Sequence, residues 1–195
     1  MAGRSGKRSA SRKPIAGNGG VKVPSVKTPK PRVTKTLISR DAARNAALIT
    51  RFYAAFGRRD AEGMIACYAS DASFSDPVFT HLDYAGMCAM WRMLCSRGKD
   101  LQVKTSGIDA DVTDGRAHWT ARYTYTATGR PVVNEIDATF RFRDGKIASH
   151  RDSFDLWRWS RQALGPVGWV VGLPGLRRTI RKKADEALKA YRARE

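Results

Sequence analysis

Three polar side chains stand where strand periodicity calls for apolar ones. Read in steps of two, Asn134 falls in line with Ile136, Ala138, Phe140 and Phe142, and His150 and Asp152 fall in line with Ala148 and Phe154. Side chains two apart on a strand share a face about 6.5 Å apart, so His150 and Asp152 can reach a common ligand. Leaving such a group buried and unsatisfied costs about 1–3 kcal/mol. The three therefore either satisfy one another in a core network with a tyrosine hydroxyl, or they line a wet cavity. In a cavity, burial raises a carboxyl pKa and a nearby imidazolium lowers it. That suits Asp152 to act as a base, with His150 positioning or sharing the proton. Trp119, Tyr123 and Tyr125 occupy one phase of residues 116–127, and an aromatic hollow with a few convergent polar groups is how small-molecule sites are usually built. Asn134 and Tyr123 supply donors for a developing oxyanion, while Trp119, Phe154 and Trp91 shape the wall. Asp76, in phase with Phe74, precedes Pro77, which holds it extended. On spacing alone it is a strand terminator; on chemistry it is a second candidate base. All of this depends on parity, because a one-residue slip would turn 150 and 152 to solvent.

The elements that must position these groups follow from spacing. Ser39 is a plausible N-cap for a helix over 40–57, whose stripe is Ala42, Ala46, Ile49, Phe52 with Tyr53, and Phe56. A short helix is expected over 61–69 with Met64, Ile65 and Tyr68 inward, then a strand over 72–76. Asp83 caps a helix over 84–97 that ends at Gly98. From Leu101 the period becomes two. Strands are expected from 101, over 116–127, 132–143 and 146–156, with turns at Asp114-Gly115, Thr128–Pro131 and Asp144-Gly145. Helices followed by a long antiparallel meander is an α+β order. Residues 157–164 read as helical, and 176–193 as a basic amphipathic helix with Ile180, Ala184, Leu188 and Tyr191 on one side.

Charge divides the chain of 195 residues into three parts. Residues 1–40 hold eleven Lys/Arg and no acid, residues 41–175 are near neutral at +2, and residues 176–195 carry +5. The basicity thus sits in two terminal appendages, which argues against a nucleic-acid-binding core. The tail, taken as 1–38, is rich in Lys, Arg, Ser, Gly and Pro and is expected to be disordered, since it has too little apolar surface to offset its ordering entropy. A domain over 39–160 and a C-terminal extension over 161–195 complete the expected organisation. No apolar run reaches the length of a membrane span, and the N-terminus lacks the apolar core of a secretory signal. Three cysteines without a disulfide rhythm fit a reducing, cytoplasmic setting. His81, His118 and His150 are scattered, without metal-ligand spacing, and there is no phosphate-binding glycine loop or serine elbow. No cofactor is expected.

With FYAAFGRRDAEGMIACYASDASFSDPVF in front and FRFRDGKIASHRDSFDLW behind, the chain resembles the nuclear transport factor 2-like superfamily, which includes SnoaL-like polyketide cyclases, ketosteroid isomerases and limonene epoxide hydrolases. The resemblance covers roughly residues 40–160. It implies a cone, in which N-terminal helices pack on a strongly curved, mainly antiparallel sheet enclosing a pocket, and it implies a homodimer through the sheet. Against ketosteroid isomerase, Asp76 matches the proton-shuttling base. That family's oxyanion donors fall at Phe52, one step from Tyr53, and near Ala138. Against limonene epoxide hydrolase, Asp152 matches the water-activating Asp, while that family's Arg and second Asp fall near Trp119 and Ala121.

The expected function is acid/base chemistry of the isomerase, cyclase or hydrolase type on a hydrophobic small molecule. Asp152, Asp76 and His150 would be catalytic, and Asn134, Trp119, Tyr123, Phe154, Trp91 and Tyr53 would bind substrate. Two alternatives stay open: a non-catalytic ligand-binding or dimerisation module, and a scaffold whose termini at 1–36 and 176–195 contact nucleic acid or an anionic membrane.

Overall fold

The stripe of Ile49, Phe52, Tyr53 and Phe56 winds into α1 (Lys35–Gly57), which buries all four side chains. The computed structural model describes residues 35–170 and 174–194. The expected disordered tail lies outside the described residues except for 35–38, which form the first turn of α1.

α2 (Ala61–Ile65) begins where the Asp60 carboxylate accepts a hydrogen bond from the Gly63 amide at 2.8 Å. It ends well short of the expected residue 69. Tyr68 is instead the first residue of β1 (Tyr68–Ser75). α3 (Tyr84–Arg97) keeps its expected limits, with Asp83 accepting from the Gly86 amide at 2.8 Å. Four further strands follow: β2 (Gln102–Ala110), β3 (Asp114–Tyr125), β4 (Arg130–Arg143) and β5 (Lys146–Ser153). They form one open sheet in the order β1-β5-β4-β3-β2, parallel between β1 and β5 and antiparallel elsewhere. The fold is the expected α+β cone, its helices on one sheet face.

Three local departures from simple alternation have physical causes. The β2–β3 turn is not at Asp114-Gly115. It is led by Asp111, whose carboxylate accepts from the Thr113 and Asp114 amides at 2.7 Å each. Gly115 pairs with Ala110 inside the ladder, where a Cβ would come within 2.8 Å of the Phe142 ring and 3.0 Å of Ile49 Cδ1. In β5 the register slips between Arg141 and Phe142, so that Phe142 faces Ile147 and Ala148 is the extra residue. Ile147, not the expected Ala148, is fully buried, because a bulge reverses the phase of what precedes it. The Asp144-Gly145 turn is as expected, with φ of 52° and 70°, the left-handed pair that a two-residue hairpin of matching twist requires.

α4 (Leu156–Leu164) lies beside the part of β4 that β5 leaves unpaired. The Gln162 side-chain amide replaces the missing strand, accepting from Val133 N at 2.8 Å and donating to Val133 O at 3.0 Å. A 3-10 turn (Gly165–Val170) leads on toward α5 (Pro174–Arg192). α5 packs on the domain. Its Leu188 joins the main core, with the rings of α1, α3 and the inner sheet face. Its Ile180 joins a second cluster with Val132, Leu156, Trp159 and Ala163. No helix among the described residues is long and apolar enough to cross a membrane.

Candidate functional site

β3 and β4 alternate small and large residues on the inner face. Ala121 stands opposite Asn134, and Ala138 opposite Asp152. Ala121 leaves space that Trp119, Ile136 and Tyr123 do not fill, and a cavity of about 510 Å³ opens there. Its walls come from β3, β4, the end of β5, α3, α4 and α5. The lining is mostly apolar, as ligand cavities are.

β5 turns its even-numbered side chains inward from residue 150, and His150 and Asp152 are 1 % and 5 % exposed. They are hydrogen-bonded, His150 Nε2 to Asp152 Oδ1 at 3.0 Å. Across β1, the Tyr68 hydroxyl meets His150 Nδ1 at 2.6 Å. Burial pushes the Tyr68 phenol well above its ordinary pKa, so its hydroxyl keeps a proton with which to hydrogen-bond Nδ1. With the phenol O–H on Nδ1, the complementary tautomer carries its proton on Nε2 and donates to Asp152 Oδ1. Rings seal the imidazole on several sides, with Phe140 at 4.4 Å, Phe74 at 5.1 Å and Phe52 at 5.4 Å between centroids. Tyr68, His150 and Asp152 thus form a chain from the core to the cavity wall, and Asp152 is the member that lines it.

Asp76 lines the same cavity from the β1–α3 loop. One of its oxygens accepts from Val78 N at 2.6 Å and from Phe79 N at 2.5 Å. Burial nevertheless outweighs these bonds and raises its pKa to about 7, and the nearby Asp152 charge pushes the same way. The site therefore holds two carboxyl groups in unlike settings: Asp152 oriented by an imidazole, and Asp76 desolvated, with its pKa raised to about 7.

Of the nominated residues, Asp152, Asp76, Asn134, Trp119, Tyr123, Phe154 and Trp91 line the cavity. His150 stands behind Asp152 rather than in the wall, and Tyr53 lies in the core beside Trp119, at 5.7 Å between ring centroids. The Tyr53 hydroxyl and the Trp119 indole N–H are both buried without a hydrogen-bond partner, so Trp119 offers the cavity its ring and not its N–H. Tyr123 accepts from Trp159 Nε1 at 2.8 Å, which leaves its own proton to give.

Spacing placed Tyr68 inward but on a helix, and so missed its contact with His150. β1 pairs with β5 at Tyr68↔Ile147 and next at Ser73↔Ser149, five residues against two, so the bulge erases the alternation that would mark Tyr68 as a strand residue facing β5. Spacing also missed Trp159 and the α5 wall, since nothing local says which cavity a C-terminal helix will cover. His118 lies on the opposite sheet face, between Asp137 at 2.8 Å and Glu135 at 3.0 Å, and those bonds raise its pKa. A second hollow, about 630 Å³ on that face, is lined by charged residues including Arg116, Arg141 and Arg151, and by none of the nominated ones.

The comparisons agree with this fold. A family model described as SnoaL-like domain matches residues 49–150. No curated protein sequence matches the chain. Among solved structures, an epoxide hydrolase from M. tuberculosis described as like limonene epoxide hydrolase is 20 % identical, with 68 % of this chain and 99 % of that one covered and a TM-score of 0.55. A polyketide cyclase candidate from Xanthomonas campestris pv. campestris is 21 % identical over 63 % of this chain and 98 % of its own, at 0.52. A protein of ketosteroid isomerase-like fold from Catenulispora acidiphila, solved with trimethylamine, is 14 % identical over 63 % and 96 %, at 0.55. At these identities the likeness is one of fold.

Proposed function

The chain belongs to the SnoaL-like family of the nuclear transport factor 2-like superfamily, and on that premise we propose that it carries out acid/base chemistry on a hydrophobic small molecule held in the inner cavity. The observation that carries this reading is the pair of carboxyl groups in contrasting environments on one largely apolar wall, since such pairs divide acid and base roles between them.

Asp152, oriented by His150, takes a proton from a substrate carbon or from an attacking water. Asp76 in its protonated form delivers one to the oxygen on which charge develops. Return of the proton from Asp152 to Asp76, directly or through solvent, closes the cycle. Asn134 and Tyr123 stand ready as donors to that oxygen, the larger electrostatic contribution in such reactions, and the Trp119 ring backs them. Phe154 and Trp91 shape the apolar wall. Isomerisation, cyclisation, dehydration and hydrolysis all fit this proton balance. The homodimer expected through the sheet belongs to the same reading; Asp109–Arg116 and Asp114–Arg141, exposed ion pairs on its outer face, give that face charges of both signs to offer a second copy.

The test begins with a thermal-shift screen of apolar carbonyl compounds and epoxides. A ligand at ~100 times its dissociation constant adds ~2.7 kcal/mol of stability. For any compound that is turned over, Asp152→Asn is expected to lower kcat at least ~100-fold, the usual range for losing a general base, with the domain still folded by circular dichroism. Unchanged turnover in that variant would remove Asp152 from the mechanism.

A further inference from the structure

The carboxyl groups of the cavity are inner groups, yet the same cavity also has two cations at its edge. Arg97, the last residue of α3, and Lys183, in the middle of α5, both line it and both are exposed. Among the described residues neither forms an ion pair. Their neighbours are already committed. Asp100 accepts from the amide of the cavity residue Thr124 at 2.9 Å and from its hydroxyl at 2.6 Å. Arg181 donates to the Pro77 carbonyl at 3.1 Å. α5 as a whole carries seven bases and two acids.

Two unpaired cations at a cavity mouth, over an apolar wall with carboxyls further in, set a polarity for the occupant. An anionic group is attracted at the mouth and repelled by Asp152, and by Asp76 when ionised, so it stays at the rim while an apolar body fills the interior. We propose that the ligand of this cavity is an amphipathic anion, an apolar ring-bearing body with one carboxylate or sulfonate held by Arg97 and Lys183. This rests on the cavity reading above and adds the class of molecule.

The probes are 8-anilinonaphthalene-1-sulfonate and its uncharged counterpart N-phenyl-1-naphthylamine, titrated by fluorescence into the full chain at pH 8. The sulfonate is expected to bind more tightly and to displace the neutral dye. Its affinity should fall as salt rises from about 50 to about 500 mM, which screens exposed charges, while that of the neutral dye does not fall. The Arg97→Gln/Lys183→Gln variant is expected to weaken the sulfonate about tenfold, the factor worth ~1.4 kcal/mol, and to leave the neutral dye unchanged. Equal affinities in the wild type, or a sulfonate affinity untouched by the double substitution, whatever its response to salt, would overturn the anionic ligand while leaving the cavity intact. Uptake of neither dye would overturn both.

Discussion

Asp76 keeps one carboxylate oxygen on two backbone N–H groups and still loses more from desolvation than it gains from them. Its folded pKa of about 7 lies above the ordinary carboxyl value near 4. Between about pH 4 and pH 7 the native state therefore binds more protons here than the unfolded chain does, so Asp76 makes stability fall as pH rises through that window. Asp76→Asn, which keeps the acceptor and removes the charge, is expected to be more stable than wild type above pH 7 by up to ~4 kcal/mol, three units at ~1.4 kcal/mol each. The difference should vanish near pH 4, as urea denaturation at several pH values will show. If Asp76 is the acid, activity should fall along the same curve as pH rises past about 7. Tyr68 acts one step back from the wall. Tyr68→Phe leaves His150 Nδ1 without its donor and should cost about 1–3 kcal/mol. The imidazole ¹⁵N shifts should move at the same time, because the tautomer is no longer held. Unmoved shifts would mean that Asp152 alone orients the ring.

At the scale of elements, the cavity exists because helices and strands are held slightly apart at some places and very close at others. Gly115 marks a close approach, with the Phe142 ring and Ile49 where a Cβ would go. Gly115→Ala should destabilise by about 1–3 kcal/mol, the usual cost of overpacking a core that cannot shift. α5 marks the opposite case. It spans from the cluster at Ile180 to the main core at Leu188 and forms one wall of the cavity. Leu188→Ala should cost about 2–5 kcal/mol by leaving a void. Global unfolding followed by circular dichroism and by Trp fluorescence should report that loss together if α5 folds with the rest. The bulge at Ala148 and the long one after Tyr68 have a shared effect: they let β1 and β5 bring Tyr68 and His150 into contact although the strands are out of step.

For the whole molecule, charge is partitioned rather than spread. The eleven bases of residues 1–40 carry no acid beside them, whereas on the outer sheet face Arg116 and Arg141 are balanced by Asp109 and Asp114. Contact with a polyanion should therefore come from the N-terminal segment and depend steeply on salt, since each neutralised phosphate releases counterions. Deleting residues 1–34 is expected to abolish retention on immobilised double-stranded DNA at about 100 mM salt. Retention that survives the deletion would move the contact to the folded unit.

The element types, most of their limits and the inward phase of residues 150 and 152 were legible from spacing, because period two and period 3.6 are local properties of the chain. The cone could be reached through the resemblance, and seven of the nine nominated site residues do line one cavity. Tertiary structure alone decided the rest. Whether His150 is a wall or a support depends on Tyr68, 82 positions away in the chain. The pKa of Asp76 depends on how far water is excluded by elements that its own segment does not contain. The place of the basic C-terminal helix, which the sequence left open as an appendage for nucleic acid or an anionic membrane, was decided by two apolar side chains that join clusters formed by α1, α3, α4 and the sheet. Periodicity is written along the chain; burial, partner identity and the field at a carboxyl arise from residues that only folding brings near.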